Sequence, residues 1–326
     1  MTSTARAYPN IALVKYWGKA DEDLILPVAG SLSMTLDDYP TTTHVTLADE
    51  DHFNLNGTDQ EGKVSARVFA FLDLVRDLAR ERCLDTANAS ATVTSVNEGP
   101  TAAGMASSAS GFAALAVAAS KEYGLDLDLR DLSRLARRGS GSASRSVIDR
   151  FAVWHAGTDE SSFAEQIDAP DMAMISVPVA TGEKAVSSRQ GMVATATTSP
   201  FYPAWITSTE EILLEMIAAC QAGDFTTIGE IAEVHATRMH AVIGASRPSI
   251  RYLNSASIDV FDEISQMRRD GLEAYGTADA GPNVFAISRV EDAQAVADRL
   301  APLTRDGEAK ILYPGRGAHL LSDGEA

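Results

Sequence analysis

Cysteine is scarce in this sequence, which contains only Cys83 and Cys220 among its 326 residues. Two cysteines this far apart supply neither a disulfide framework nor the paired spacing of a zinc site. No stretch reaches the roughly 18 consecutive apolar residues that a membrane span requires. The N-terminus also lacks the charged-then-apolar order of a signal peptide. We therefore expect an unprocessed protein without a membrane span in a reducing cytoplasm.

Basic residues are also few, with 27 Lys and Arg against 45 Asp and Glu, so the net charge is −18 and the pI is near 4.7. This balance argues against a protein that coats nucleic acid or binds a membrane through a basic surface. Hydrophobic residues make up 45% of the chain and charged residues 22%, which is typical of a globular protein and excludes disorder as the main state.

Several common enzyme motifs are missing from the sequence. There is no GxSxG elbow of an esterase, no GxGxxG dinucleotide fingerprint after a strand, and no Walker A ending in Gly-Lys-Ser/Thr. His235 and His240 are five residues apart, which does not place two imidazoles on one helix face, and no HExxH pattern is present. A zinc hydrolase is therefore not supported.

Alternation and helical periodicity predict an α+β protein of two domains, residues 1–180 and 181–326, with the boundary near residue 180. Ser208 and Glu211 have capping-box spacing before an apolar run, and Gly223 is placed to end that helix. A further helix is expected after Asp224. The predicted strands are 42–48, 90–97, 172–179, 273–278, 284–288 and 309–313, and the predicted helices are 64–78, 111–120, 128–138, 257–270 and 290–300.

The segment GPTAAGMASSASG, residues 99–111, lies between a predicted strand and a predicted buried helix. Small residues let the backbone approach an anion, and the first amides of a helix are unpaired donors at the positive end of its dipole. Ser107 and Ser108 add hydroxyl groups there. The segment therefore predicts a phosphate-binding loop, although the same small residues would equally permit tight helix packing.

One segment of this acidic chain is basic, because residues 130–150 contain six Arg and only two Asp. Arg provides planar, always-charged contacts to phosphate or carboxylate groups. Arg134, Arg137 and Arg138 also fit a solvated helix face. Arg145 fits that alternative less well because it lies within the small residues of GSGSASRS, residues 139–146.

Two shorter segments carry further candidates. LVKYWGK, residues 13–19, places Lys15 and Lys19 around Tyr16 and Trp17, which suits either anion binding or a strand edge with extended lysines. ADAGPN, residues 278–283, brackets Asp279 with Gly281 and Pro282 between two predicted strands. A turn aspartate often satisfies only its own backbone, so this residue has a structural as well as a functional interpretation.

Five segments in order, NIALVKYWGK (10–19), GPTAAGMASSASG, RRGSGSASRS (137–146), VSSRQGM (186–192) and DAGPN, strongly resemble the diphosphomevalonate decarboxylase family of the GHMP kinase superfamily. The resemblance spans residues 5 to about 288. It implies an N-terminal domain like the second domain of ribosomal protein S5, a ferredoxin-like C-terminal domain, and a site in the cleft between them. The implied reaction converts mevalonate 5-diphosphate and ATP to isopentenyl diphosphate, ADP, phosphate and CO2.

The resemblance also implies roles for individual residues. Asp279 matches the catalytic aspartate that orients or deprotonates the 3-hydroxyl, Arg145 matches the arginine that grips the substrate carboxylate, and Lys15 matches a lysine near the transferred phosphoryl group. The residues that match the diphosphomevalonate pocket are Asn10, Tyr16, Lys19, Ser140, Ser142, Arg145, Ser188, Arg189 and Met192. Those that match the ATP site are Gly104, Ala106, Ser107, Ser108 and Lys184.

ATP chemistry implies Mg²⁺, yet no acidic pair in the sequence identifies a protein ligand for the ion. Relatives imply a homodimer, and the acidic composition argues against binding to nucleic acid or a membrane. A mevalonate 3-kinase, a 5-monophosphate decarboxylase and a catalytically silent nucleotide-binding module are the alternatives. The combination of Asp279, Lys15 and Arg145 disfavours the simple kinase and the silent module, whereas Lys19, Ser188 and Arg189 favour a diphosphate substrate.

Overall fold

The computed structural model describes residues 2–99, 107–180 and 185–322, with only the backbone of Ser107. Eight strands open this part of the chain, and α-helices and strands follow in mixed groups. The strands are β1 Ser3–Ala7, β2 Asn10–Val14, β3 Lys19–Asp21, β4 Leu26–Pro27, β5 Ser31–Thr35, β6 Thr41–Ala48, β7 His52–Leu55, β8 Thr58–Asp59, β9 Ser90–Asn97, β10 Phe151–Trp154, β11 Ala164–Gln166, β12 Ala173–Val177, β13 Ala274–Thr277, β14 Val284–Ser288, β15 Lys310–Leu312 and β16 His319–Leu320. The helices are α1 Lys63–Glu81, α2 Ser107–Glu122, α3 Leu129–Gly139, α4 Ala143–Ser146, α5 Ser188–Thr198, α6 Tyr202–Ala222, α7 Phe225–Gly244, α8 Ser255–Arg269 and α9 Ala293–Leu300.

Strands β3 and β4 pair as a two-stranded sheet, and two larger sheets form the rest of the first half of the described chain. One has the order β16-β1-β6-β9-β7-β8 and the other has the order β11-β10-β5-β2. Helix α2 packs against β1 and β6, and also contacts α3 and α4. Its Ala113, Ala114, Ala116, Ala118 and Ala119 are fully buried. Because alanine side chains are small, the helix can approach the sheet and its neighbouring helices closely, which confirms the predicted buried central helix.

A third, antiparallel sheet with the order β13-β14-β12-β15 forms the second half and packs against α8 and α9. The described chain therefore has the predicted two-domain α+β organisation. Strand β12 lies before the boundary predicted near residue 180, yet it pairs with β14 and β15, so this pairing places it with the second half. At the other end, β16 pairs with β1 and returns the tail to the first half.

Helices α6 and α7 connect the two halves. Both pack against β2 of the first half, and α7 also packs against β13 of the second half. The buried side chains of these helices share one apolar cluster with β2, β5, β12 and β14. This shared core fixes the position of the end of β2 relative to the end of β13.

The start of α6 corrects one prediction. Ser208 does not cap the helix, because α6 begins at Tyr202 and the Ser208 hydroxyl donates to the carbonyl of Trp205 within the helix. Gly223 ends α6 as predicted, with a left-handed φ of 69° that a residue without a side chain adopts at little cost. Asp224 then caps α7 by accepting from the Thr227 amide. Within the described residues, no helix is both long and apolar enough to cross a membrane.

Candidate active site

Lys15 and Asp279 meet where the two halves join. Lys15 follows the last residue of β2, and Asp279 lies in the turn between β13 and β14. The Lys15 ammonium donates to the Asp279 carboxylate over 2.7 Å. Because α7 packs against both strands, the pairing is fixed by the interior of the protein and does not depend on two mobile loops.

The two partners differ in their access to solvent. The Lys15 side chain is 1% exposed, whereas the Asp279 side chain is 27% exposed. Burial lowers the pKa of Lys15, and the neighbouring Asp279 carboxylate acts in the opposite direction. The carboxylate therefore has an open side that a ligand can reach, while the buried ammonium is shielded from water, so its charge acts strongly on its neighbours.

Arg145 lies in α4, buried next to this pair, and its partners are neutral. Its guanidinium donates to the Asn10 side-chain oxygen at 3.1 Å, to the Ser33 hydroxyl at 2.9 Å and to the Ser31 hydroxyl. Burial lowers the pKa of Arg145 to about 10, with Asp279 acting in the opposite direction. Within the described part of the chain, no carboxylate forms an ion pair with Arg145. A buried cation held only by neutral groups is suited to receive an anionic ligand.

Asn10 orients this arginine. Its amide group donates to the Ser142 carbonyl at 3.0 Å and to the Ser146 hydroxyl at 2.8 Å. These two bonds direct the amide oxygen toward the Arg145 guanidinium. The polar residue that the family resemblance places near the substrate therefore lies behind Arg145 and fixes its orientation.

A turn of small residues between α3 and α4 lies beside Tyr16. The Ser140 hydroxyl is 3.3 Å from that of Ser108 and 3.5 Å from that of Ser142. A Cβ on Gly141 would lie 2.8 Å from the Tyr16 ring, so the turn requires glycine to pack this closely. The three predicted serines are thus brought together at the start of α2, next to Tyr16.

Tyr16 also lies close to a second group of predicted residues. Its ring packs edge-on against Trp154 with centroids 4.8 Å apart. Its hydroxyl and that of Tyr202 are buried without a hydrogen-bond partner among the described residues, and burial raises the pKa of both tyrosines. Buried hydroxyls without partners are costly unless a ligand or water supplies the missing bonds.

The remaining predicted pocket residues surround these tyrosines. The Lys19 ammonium is paired with the Glu22 carboxylate. Ser188, Arg189 and Met192 lie in the first turns of α5, which Ser187 and Gln190 cap reciprocally. Met192 is buried in the cluster that contains Trp17 and Tyr202, while Arg189 is exposed.

A cavity of about 360 Å³ opens next to Ser108 between α1, α2 and the first sheet. Its apolar wall includes Phe53, Val68 and Phe112. The polar residues in its wall are Thr41, Asn56, Lys63, Arg67, Ser95, Asn97, Ser108 and Ser110. Of the predicted ATP site, Gly104, Ala106 and Lys184 lie outside the described residues, as does the Ser107 side chain.

Arg67 is a candidate that the sequence patterns did not single out. Its guanidinium lies 4.6 Å from the centre of the Phe112 ring and donates to the Gly139 carbonyl at 2.6 Å. Burial lowers its pKa to about 10, and the charge of Arg189 acts in the same direction. The positive charges of Arg67 in α1 and Arg189 in α5 therefore act on each other. Arg67 belongs to an Arg- and Asp-rich helix, so its spacing gives no signal beyond an ordinary solvated helix face.

The described residues contain no group of three or more His, Cys, Asp or Glu side chains that could hold a metal ion. Magnesium in nucleotide sites commonly binds through substrate phosphates and water together with one or two carboxylates. The residues of this site are therefore compatible with an ion that arrives with the nucleotide.

Two family profiles match the chain. Residues 7–164 match the Diphosphomevalonate decarboxylase-like N-terminal domain, and residues 173–312 match the Mevalonate 5-diphosphate decarboxylase C-terminal domain. Curated relatives with the name diphosphomevalonate decarboxylase include one from Aspergillus fumigatus, 36% identical over 90% of this chain and 78% of the relative. The human protein of that name is 36% identical over 87% of this chain and 76% of its own length.

Solved structures agree with these matches. The mevalonate diphosphate decarboxylase of Staphylococcus aureus is 40% identical with a TM-score of 0.93, covering 98% of both chains. That of Enterococcus faecalis is 41% identical with a TM-score of 0.91, covering 99% of both chains. A structure described as MDDEF in complex with MVAPP, AMPPCP and magnesium is 42% identical with a TM-score of 0.92, again over 99% of both chains.

Proposed function

The chain belongs to the diphosphomevalonate decarboxylase family, and from this premise we propose how its site carries out the ATP-dependent decarboxylation of mevalonate 5-diphosphate. The products are isopentenyl diphosphate, ADP, phosphate and CO2. A tertiary alcohol is a poor leaving group, so the 3-hydroxyl must be phosphorylated before the carbon–oxygen bond can break. ATP is the co-substrate, and Mg²⁺ bound to its phosphates neutralises part of their charge.

Asp279 acts on the 3-hydroxyl of the substrate. Its carboxylate is partly exposed on the side away from Lys15, so it can accept the hydroxyl proton while the oxygen attacks the γ-phosphorus of ATP and ADP departs. The Lys15 ammonium, 2.7 Å from that carboxylate, keeps the aspartate oriented. It also places fixed positive charge beside the phosphoryl group in transit.

Arg145 holds the substrate carboxylate for the second step. The bond between the carboxyl carbon and C2 breaks, its electrons form the alkene between C2 and C3, and the 3-phosphate departs with the electrons of the carbon–oxygen bond. Asn10, Ser31 and Ser33 fix the guanidinium plane, so the carboxylate is held in one orientation relative to the leaving phosphate. The absence of an ion pair for Arg145 in the described chain supports this role.

The diphosphate end of the substrate binds beside α5. The unpartnered hydroxyls of Tyr16 and Tyr202 supply donors, and Lys19 and Arg189 supply positive charge. The remaining predicted contacts are Ser140, Ser142, Ser188 and Met192. We propose that Arg67 and Arg189, from opposite sides of the site, share the negative charge of the two polyphosphates.

ATP binds with its base in the cavity beside α1 and its phosphates toward Ser108 and Ser140. The cavity has apolar walls with a few polar groups, as is usual for a ligand pocket, and it opens at the N-terminal end of α2. Gly104, Ala106, Ser107 and Lys184 remain predicted contacts of the nucleotide. The homodimer and the cytoplasmic location implied by the family resemblance also remain predictions.

The observation that carries this assignment is the meeting of Asp279, Lys15 and the unpaired Arg145 beside one another. The test incubates purified protein with MgATP and, separately, mevalonate, its 5-phosphate and its 5-diphosphate, while ADP and CO2 are measured. We expect ADP and CO2 in a one-to-one ratio with the 5-diphosphate. ADP without CO2 would indicate a kinase, and CO2 mainly from the 5-phosphate would indicate a monophosphate decarboxylase.

A further inference from the structure

His235 of α7 is fully buried and contacts the backbone of Lys15. The Lys15 amide donates to His235 Nδ1 at 2.9 Å. On its other side, His235 Nε2 lies 3.2 Å from the hydroxyl oxygen of Thr209 in α6. The spacing of His235 from His240 does not indicate a metal ligand. The reaction described above does not use the His235 side chain.

These contacts determine which ring nitrogen carries the proton. A backbone amide is only a donor, so Nδ1 must be the unprotonated acceptor. The Thr209 hydroxyl donates to the Trp205 carbonyl at 2.7 Å, which leaves its oxygen free to accept from Nε2–H. Each donor in this series of hydrogen bonds, from the Lys15 amide to the Trp205 carbonyl, then has one acceptor. The imidazole is neutral, with its proton on Nε2.

The surroundings favour that neutral form. Burial lowers the pKa of His235 to about 3, and the positive charges of Lys15 and Arg238 act in the same direction. The imidazole ring also lies against the Trp205 indole, with centroids 4.6 Å apart. A protonated imidazole would lose the acceptor on which the Lys15 amide depends.

A second bond holds the same backbone segment. The Trp205 indole N–H donates to the carbonyl of Trp17 at 2.9 Å. Helices α6 and α7 therefore hold the chain at two backbone points, the amide of Lys15 and the carbonyl two residues later. Because α7 also packs against β13, the helix that fixes Lys15 has a defined position relative to the strand leading to Asp279.

We propose that His235 is a positioning residue that fixes Lys15 relative to Asp279, and that Thr209, by accepting from Nε2–H, holds the imidazole in the orientation that makes this possible. The proposal rests on the proposed function, because it takes Lys15 as the lysine that acts on the transferring phosphoryl group. A hydrogen bond on the far nitrogen commonly sets the state of a histidine at an active site. Small displacements of a catalytic charge reduce turnover more than binding.

The first test replaces Thr209 by valine and by serine. Thr209→Val keeps the shape but leaves Nε2–H without an acceptor, so the imidazole loses one of the two hydrogen bonds that hold it against the Lys15 amide. We expect kcat to fall about 10-fold with KM for either substrate changed less than about twofold. Thr209→Ser keeps the hydroxyl and should restore kcat to within about twofold of the wild type. Equal kcat values for the valine and serine variants would contradict the proposal.

The second test replaces His235 itself. In Asn the side-chain oxygen can occupy the position of Nδ1, whereas in Gln the amide reaches the position of Nε2. We therefore expect His235→Asn to keep a kcat at least about fivefold above that of His235→Gln at similar melting temperatures. The reverse order, or no difference, would contradict a role through the Lys15 amide.

A third measurement requires no substitution and does not depend on activity. The ¹⁵N chemical shifts of the His235 ring in the wild-type protein report its tautomer, and we expect the proton on Nε2. A proton on Nδ1 would overturn the proposal even in an active enzyme. If instead the tautomer is as expected but the wild type releases no CO2 from mevalonate 5-diphosphate, the proposed function fails while the hydrogen-bond chain stands.

Discussion

The Lys15 ammonium lies 2.7 Å from the Asp279 carboxylate, although 264 residues separate the two in sequence. The aspartate is partly open to solvent and the lysine is not. In an ion pair of this kind the buried cation orients the carboxylate, and the exposed carboxylate edge is the side from which a ligand can approach.

Asp279→Asn should distinguish a catalytic role of Asp279 from a role that is limited to stabilising the turn. Asparagine keeps the shape and hydrogen bonding of the turn but loses the negative charge and the basicity. We expect kcat to fall by at least about 10²-fold, typical of removing a positioned base, while substrate affinity is retained. Turnover, binding of the 5-diphosphate by calorimetry and melting temperature should be measured on the same variant.

Asp259→Asn is the matched control, because it removes one carboxylate charge from an exposed position of α8. Its kcat should equal that of the wild type. An Asp279→Asn variant that keeps wild-type turnover would show that this aspartate serves only the turn.

Arg145→Lys should impair the reaction severely although the charge is kept. The guanidinium makes separate bonds to Asn10, Ser31 and Ser33, and an ammonium cannot reproduce this planar arrangement while holding a carboxylate. We expect kcat/KM to fall by about 10²-fold or more. Arg150→Lys, at an exposed arginine paired with Asp171, should leave kcat/KM unchanged. Similar values for both variants would remove Arg145 from the site.

Ser108→Ala should weaken the use of ATP with little effect on folding. Ser108 lines the cavity beside α1, and its hydroxyl lies 3.3 Å from that of Ser140. We expect KM for ATP to rise about tenfold or more, which corresponds to one lost hydrogen bond to a charged group. Ser120→Ala in the same helix is the control, because its buried hydroxyl has no partner among the described residues. A large fall in melting temperature with an unchanged KM would indicate a packing role for Ser108.

Among the described elements, the sequence predicts most of the helices, because local periodicity determines them, whereas most of the short strands are not predicted. Strands β6 and β9, helices α1 and α3 and the end of α6 at Gly223 lie where periodicity and turn residues indicate. The predicted start of α6 is wrong, because Ser208 and Glu211 have the spacing of a capping box although both lie inside the helix. Pro203 in the first turn was the more informative signal, because proline is favoured there.

The sequence does not reveal which strands pair when they are far apart along the chain. No local pattern indicates that β12 pairs with β14 and β15, or that β16 returns to β1. The same applies to the site, where the resemblance singles out Lys15, Arg145 and Asp279 individually. Their meeting depends on the packing of α7 against strands from both halves. The contact between His235 and the Lys15 amide is a backbone interaction, so side-chain spacing gives no sign of it.

Lys15 should give the enzyme an alkaline limit of activity below the range in which a free lysine titrates. Burial lowers the pKa of Lys15 from its ordinary 10.5, and Asp279 offsets this only in part. A lysine is charged below its pKa and neutral above it. Raising the pH therefore removes the positive charge that stabilises the phosphoryl group in transit, and kcat at saturating substrate should fall as the pH passes the lowered pKa.

Lys15→Arg tests whether this limit belongs to Lys15. A guanidinium keeps its charge at far higher pH, so the alkaline fall in kcat should move upward by at least about one pH unit, even if the maximum kcat is lower. Lys121→Arg, at an exposed position in the last turn of α2, should leave the limit where it is in the wild type. Melting temperatures across the same pH range separate loss of charge from unfolding. If the fall stays in place in Lys15→Arg while the protein remains folded, another group titrates there and the role of Lys15 in stabilising the transferred phosphoryl group is contradicted.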